Sequence, residues 1–341
     1  MSVSAGLRQR LLFLFLCTVW GATWLAMKTG AASVPPALFS GTRWTVAGLV
    51  LLAVRRAQGH TMGIPRRMWP RLAAVALLMV AINAVLNLYS LRLVGSGLAA
   101  IIGSSLTPIS LLGFGLALGQ ERVGRARLAA IGLGLAGILL LFGPKALAGR
   151  LDATEALGAA GIALSTLCYT AGSVLARPLM RTLSPAEVAA ATNLVGGLAL
   201  LLGSLAFEPG AGAALRGDWG VAAWAAWLYL LLLGSLGATI VYFYLVREWG
   251  AGTTGSYAFV SPVIAVGLGV AVAGEHVDGV ELAGMALMLA AVVLVLRRPR
   301  TPTPLPAPPP PGLEPIPAPP APSLALPPAS AMRSGDPGGV T

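Results

Sequence analysis

"LTPISLLGFGLALGQERV" (Leu106–Val123) and "VSPVIAVGLGVAVAGEHV" (Val260–Val277) match at a constant offset of 154 residues. Pro108 meets Pro262, Gly113 meets Gly267, Gly115 meets Gly269 and Glu121 meets Glu275. Shared alanine and leucine carry little in a chain this apolar. An aligned proline inside an apolar run, with an aligned glutamate closing it, carries more. A second block agrees: "PALFSGTRWTVAGLVLL" from Pro36 aligns with "PAEVAAATNLVGGLALL" from Pro185 at an offset of 149, which brings Lys28 onto Arg177. The chain reads as two copies of one unit.

What that unit is follows from composition. Of 341 residues, 56% are hydrophobic and 10% charged, against roughly 25% charged in soluble domains. A bilayer core of about 30 Å takes about 20 apolar residues per helix, and ten such runs occur, near 11–28, 37–54, 71–91, 97–119, 127–143, 156–177, 186–206, 222–246, 252–273 and 280–297. The alternating polarity of barrel strands is absent, so the expected fold is an all-α integral membrane protein with ten transmembrane helices. Each copy holds five. Five is odd, so the second copy enters the membrane from the opposite side and the repeats are inverted, an arrangement associated with alternating-access transporters whose sites lie near midplane. The domains are then 1–145 and 154–298, followed by a tail, 299–341. That tail holds 16 of the chain's 26 prolines, cannot bury a core, and reads as a disordered, polyproline-like segment.

The net charge of +11 does not point to nucleic acid, because its distribution tracks the membrane. With the N-terminus inside, 16 arginines fall in inner segments and five cations in outer ones, which places both termini in the cytoplasm. Arg8 and Arg10 precede "LLFLFLCTVW", but no convincing cleavage site follows, so the first run reads as an uncleaved anchor. Cys17 and Cys168 lie in apolar runs, and His60 and His276 lie far apart in loops, so neither disulfide framework nor metal site is expected. The glycine-rich stretches lie within spans and have no phosphate-loop lysine, so no nucleotide cofactor is expected.

Arg43 is the cation that falls inside a span. It lies about 10 Å below the outer boundary at 1.5 Å per residue. One reading is a snorkelling or helix-tying arginine; the other is a contact for an anionic group such as a substrate carboxylate. Two features favour the second. Its repeat partner is Thr192, and no span centre carries an acid to neutralise it. Asn83 and Asn87 lie four apart on one helical face with Tyr89 nearby, either tying helices or lining a pathway. Trp24 lies four residues before Lys28, and Tyr257 belongs to a polar-aromatic set with Tyr169, Asn193, Tyr242 and Tyr244. Pro108 and Pro262 each remove an intrahelical hydrogen bond at equivalent depth and read as conformational kinks. Glu121 and Glu275 close their spans where each can meet the N-terminal dipole of the following helix, a structural helix-end role; the alternative is proton coupling, against which their opposite membrane sides argue.

At this point the sequence resembles the drug/metabolite transporter superfamily, in its EamA-like exporter branch. The stretches that carry the resemblance are "WGATWLAMKTG" from Trp20, "PPALFSGTRWTVAGLVLL" from Pro35, "YSLRLVGSGLAAIIGSSLTPISLLGFGLALGQERV" from Tyr89, "YFYLVREWGAGTTGSYAFVSPVIAVGLGVAVAGEHV" from Tyr242 and "GMALMLAAVVLVL". The first copy departs from the usual Gly-Glu at the end of its fourth span, with Gln120 before Glu121; the second keeps Gly274 and Glu275. The resemblance implies export of small metabolites, typically amino acids and related compounds, across the bacterial inner membrane. The expected partners are a small-molecule metabolite and the lipid bilayer, not nucleic acid, and a homodimer is compatible with the sequence. Two rivals stay open: a membrane enzyme acting on a lipid-linked substrate, and a receptor or scaffold using the proline tail.

Overall fold

In lipid no water satisfies backbone polar groups, so an apolar run closes its hydrogen bonds within itself, as a helix. The computed structural model describes residues 5–59, 63–94, 96–121, 124–147, 153–273 and 278–297, and among them no strand occurs. The helices are α1 (Ala5–Ala31), α2 (Pro36–Ala57), α3 (Arg66–Ser90), α4 (Ser96–Ala117), α5 (Arg125–Leu147), α6 (Ala153–Arg181), α7 (Pro185–Phe207), α8 (Val221–Trp249), α9 (Tyr257–Ala273) and α10 (Gly279–Arg297). Single turns, Ala211–Ala214 and Ala251–Thr254, lie between α7 and α8 and between α8 and α9. Among the described residues, α2, α3, α6, α7, α8 and the Gly279–Leu296 part of α10 are long and apolar enough to cross a membrane. Ile101–Ala117 in α4 is a shorter apolar helix. Glu275, His60, His276 and the proline-rich tail lie outside the described residues.

Polarity is distributed inside out relative to a water-soluble protein. Leucines 139, 157, 202, 232 and 282 are exposed on the outer faces, whereas Arg43, Asn193, Ser165, Thr170, Ser173 and Ser235 are buried among the helices. A hydrocarbon solvent selects for that distribution.

The closest helix pair is α2 with α7, which run antiparallel. A Cβ on Gly41 would meet the backbone of Leu201, and one on Gly48 the backbone of Leu194. One on Gly197 would meet Thr45 and Trp44. Glycine lets the two backbones approach there as no larger residue does. Both ends of the pair are clasped. At one, α7 begins with a proline at its first position and a capping box in which Ser184 Oγ accepts from Glu187 N (3.2 Å) and Glu187 Oε2 accepts from Ser184 N (2.7 Å). The same Glu187 pairs with Arg55 in the last turn of α2 at 3.2 Å. At the other, Glu208 accepts from Ala37 N (3.1 Å), Leu38 N (3.0 Å) and Ser204 Oγ (2.6 Å), so the carboxylate following α7 caps the start of α2.

Other pairings include α5 with α10, α4 with α6, α1 with α9, α3 with α6 and with α7, α8 with α1 and with α2, α4 with α5, and α9 with α10. Exchanging each helix for the one five later maps this set onto itself. Two helices depart from α geometry at corresponding places: α3 is π-helical over Leu77–Ile82 and α8 over Leu230–Ala238. In α8 the loosened carbonyls find side chains. Thr239 Oγ1 donates to Gly234 O at 3.1 Å, and Asn193 Nδ2 donates to Ser235 O at 3.1 Å. Such single-turn departures in helices recur at functional sites.

Candidate functional site

A cavity of about 820 Å³ opens among α1, α2, α3, α4, α6, α7, α8 and α9, so both sequence copies contribute to its wall. The volume is that of a typical small-molecule site. Its lining reaches Leu91, Ala99 and Glu155, at the end of α3 and the starts of α4 and α6, and the partial exposure of Leu91 and Glu155 marks this end as its mouth.

Arg43 lines the cavity from α2 and is 5% exposed. Its guanidinium does not run out to the helix end. Nη1 donates to Ser235 Oγ at 2.7 Å, and the group stacks 4.4 Å over the Trp44 ring. Ser235 sits in the π-helical stretch of α8 and accepts from Asn193 of α7 through its carbonyl, so one serine joins three helices at the cation. None of these contacts is negative. Ion pairs among the described residues include Arg55–Glu187, Arg127–Glu121 and Arg247–Glu248, and Arg43 belongs to none of these. Arg43 Nε and Asn193 Oδ1 are buried without a hydrogen-bond partner. Native interiors rarely leave such groups unmet, and here they surround a space large enough for a ligand.

The remaining expected site residues separate. Asn83 reaches the cavity but is committed to α6: its Nδ2 donates to Ser165 O (3.1 Å) and Oγ (2.9 Å), and Ser165 Oγ donates back to Asn83 O (3.2 Å). Asn87 lines the cavity with its Oδ1 buried and unpartnered. Tyr257 lines it too, packed edge-on to Trp20 at 4.6 Å. Tyr89 is not brought to the cavity; it is 42% exposed, with Arg92 5.4 Å over its ring. Trp24 lies in α1, and its side chain lies outside the described residues. Pro108 and Pro262 both lie inside continuous helices, and Pro262 lines the cavity.

Trp20, Tyr169, Tyr242 and Tyr257 pack ring against ring at 4.6–6.4 Å and line the cavity together. Tyr242 also hydrogen-bonds Ser173. Trp20 reads from sequence either as an interfacial belt residue or, on one face with Trp24 and Lys28, as part of a site or outer gate, and it sits at the centre of this cluster. The signal that finds it is the 149-residue offset, which places Trp20 on Tyr169. A further repeat surfaces nearby. Tyr89-x-x-Arg92 matches Tyr244-x-x-Arg247 at an offset of 155, and Arg247 lies 5.5 Å over the Tyr244 ring as Arg92 lies over Tyr89.

At the end of the molecule away from the mouth, a polar network joins α4, α5, α6 and the turn after α8. Glu121 accepts from Arg127 Nη1 (2.7 Å) and from Gly252 N (3.2 Å), and Arg127 Nη2 donates to Thr253 Oγ1 (3.1 Å). Arg177 Nη1 donates to Gln120 O (2.9 Å) and Gln120 Nε2 to Val174 O (3.2 Å). The carboxylate expected to serve the helix that follows it in sequence thus pairs with a side chain of that helix and caps a different turn, Ala251–Thr254. Gly250 makes this possible: its φ is +81°, and a Cβ there would lie 2.6 Å from Glu121 Oε1. No residue of this network lines the cavity.

The model of the EamA-like transporter family matches residues 8–143 and again residues 156–297. The chain is 31% identical over 282 residues to an uncharacterized inner membrane transporter, YedA, of Escherichia coli, covering 82% of this chain and 88% of that one. It is 24% identical over 251 residues to an uncharacterized transporter, YoaV, of Bacillus subtilis (74% and 84% covered), and 25% identical over 282 residues to protein PecM of Dickeya dadantii (81% and 88%). A crystal structure at 22% identity superposes with a TM-score of 0.70 over 84% of this chain and 96% of the other, which is a likeness of fold.

Proposed function

The chain belongs to the EamA-like transporter family, and on that premise we propose that it is a secondary transporter exporting small carboxylated metabolites, amino acids or related compounds, across the bacterial inner membrane. The observation that carries the substrate class is Arg43: a buried cation on a cavity wall, held by a neutral hydroxyl and a ring, with no carboxylate partner among the described residues. A substrate carboxylate placed there meets a charge-assisted donor in a low-dielectric site. Asn87 and Asn193 belong to the same cavity wall, and Trp20 with Tyr257 offers an aromatic face there.

The mechanism is alternating access between two inverted five-helix halves making ten spans, with both termini cytoplasmic and Pro108 and Pro262 as kinks that let the halves rearrange. Three observations support this reading. The α2–α7 contact is self-complementary: Gly48 faces Leu194 and Gly197 faces Thr45, and a shift of 149 turns the first pair into the second. Corresponding helices of inverted halves must run antiparallel, as α2 and α7 do. The cavity reaches one end of the bundle while the network around Glu121 ties the other. A site shared by two halves that exchange roles opens to one side at a time.

The test is counterflow in proteoliposomes with a panel of amino acids and organic anions, comparing the natural chain with Arg43→Gln. Saturable exchange of carboxylated solutes, lost in a variant that still folds, is the expected result. Exchange that persists unchanged removes Arg43 from the substrate and moves the search to Asn87, Asn193 and the aromatic wall.

A further inference from the structure

We propose that this carrier is an obligatory exchanger: a carboxylate on Arg43 is what allows the site to reorient, and the empty carrier returns slowly. The proposal rests on the reading of Arg43 as the carboxylate contact and goes beyond it, because a uniporter or a proton-coupled exporter could use the same contact.

The charges around the cavity lead to this conclusion. Arg43 is 5% exposed, donates to the neutral Ser235 hydroxyl at 2.7 Å, and keeps a buried, unpartnered Nε. Among the described residues that line the cavity the only carboxylate is Glu155, at the mouth, at the start of α6. Arg43 lies seven residues into α2. No acid lines the wall at its depth to neutralise the cation or to carry a proton in its place. In the conformation described, Arg43 meets the cavity of about 820 Å³ only over the small part of its surface that is exposed, and there the space leaves room for water. Delivery to the other side requires the mouth to close over Arg43 and the network of Glu121, Arg127 and Arg177 to part. Closing strips that water.

A lone cation in a dry membrane site is disfavoured by an amount that corresponds to about two orders of magnitude in population. A carboxylate seated on the guanidinium pairs that charge; an anion such as benzoate cancels it outright, and a zwitterionic amino acid leaves its ammonium to the aromatic wall of Trp20 and Tyr257, so the loaded form crosses that barrier more easily. Loaded carriers then cycle in both directions, while empty carriers wait for a counter-substrate.

The experiment uses the full chain in proteoliposomes loaded with radiolabelled probes, the twenty protein amino acids and benzoate. The buffer is free of chloride and the membrane potential is clamped at zero. Efflux is timed into buffer alone and into buffer with saturating unlabelled probe. Efflux of a carried probe should rise about tenfold or more when the same carboxylate waits outside, as the estimated hundredfold penalty on the empty form allows. Arg43→Lys should keep that ratio, and Arg43→Gln should bring it toward one. Net efflux as fast as exchange in the natural chain overturns the proposal while leaving Arg43 as a substrate contact, and it needs no variant. If thermal-shift binding of every probe is absent, or unchanged in Arg43→Gln, the carboxylate reading itself fails and this proposal with it.

Discussion

At the scale of single residues, the sequence marks Arg43 by what surrounds it: a full charge in "SGTRWTVAGLVLL" has no partner within its own span. It does not mark Ser235, because a serine in an apolar run carries no periodic signal and the partner it serves is 192 residues away. Nor does it divide Asn83 from Asn87, which share a helical face but differ in use, one spent on Ser165 and one left open. Two outcomes follow from the geometry at Ser235. Ser235→Ala deletes a hydrogen bond to a charged group, an interaction of about 1.5–3 kcal/mol, and frees the guanidinium to leave its place. The half-saturation concentration for a carboxylated solute in counterflow should rise about tenfold, with folding intact by size-exclusion profile. Asn193→Asp replaces the amide that donates to Ser235 O with a carboxylate, which cannot donate to that carbonyl and is left on the cavity wall that also holds Arg43. It should supply Arg43 with a resident anion and abolish carboxylate exchange, whereas Asn193→Ala should only weaken it. Equal effects of the two substitutions would argue that Asn193 serves packing alone.

Among elements, the α2–α7 pair shows what the repeat pattern makes legible. Pro36 and Pro185 read as helix starts and occupy the first helical position in both copies. The offset of 149 that aligns them also aligns Gly48 with Gly197, the two glycines of the self-complementary contact. The π-helical stretches of α3 and α8 were not legible, since "LLMVAI" and "LLLLGSLGA" are as apolar as their flanks and an added residue in one turn leaves no trace in composition. The tightness of the glycine contact sets its sensitivity. Gly197→Val drives a branched side chain into the backbone of Thr45 and should destabilise the protein by about 1–3 kcal/mol, read as a lower midpoint of thermal unfolding in detergent. Gly132→Ala in α5 is the control. Nothing lies within 4 Å of its added Cβ, and the helical preference of alanine over glycine is about 0.8–1.0 kcal/mol. The midpoint should hold or rise slightly.

At the scale of the whole molecule, the main helix pairings among the described residues recur five helices on, but the two ends of the bundle are not alike. Tyr89 is 42% exposed on the mouth side, while its repeat counterpart Tyr244 is partly buried beside the latched end with Arg8 and Arg247 around its ring. Sequence symmetry alone could not reveal which end is closed, because it treats both copies alike. The side-chain network breaks the tie. If that network holds one end shut, loosening it should expose what lies behind it. Cys17 is a natural reporter: it sits one helical turn from Trp20 toward that end, with none of its surface exposed. Cys17 and Cys168 are the chain's only cysteines, so Cys168→Ser leaves a single thiol without adding a label site. Glu121→Gln keeps the shape of the side chain and removes the charge that Arg127 and the Gly252 amide meet, interactions of about 1.5–3 kcal/mol for a charged group. A shift of that size moves a closed–open equilibrium by about tenfold or more. Maleimide labelling of Cys17 in Glu121→Gln, Cys168→Ser should therefore run about tenfold faster than in Cys168→Ser alone, and saturating carboxylated solute should change the rate in both. An unchanged rate would mean that the apolar packing behind the aromatic cluster, Phe13 against Trp249 at 5.5 Å and Tyr242 against Phe243 at 5.9 Å, closes that end without help from the charges.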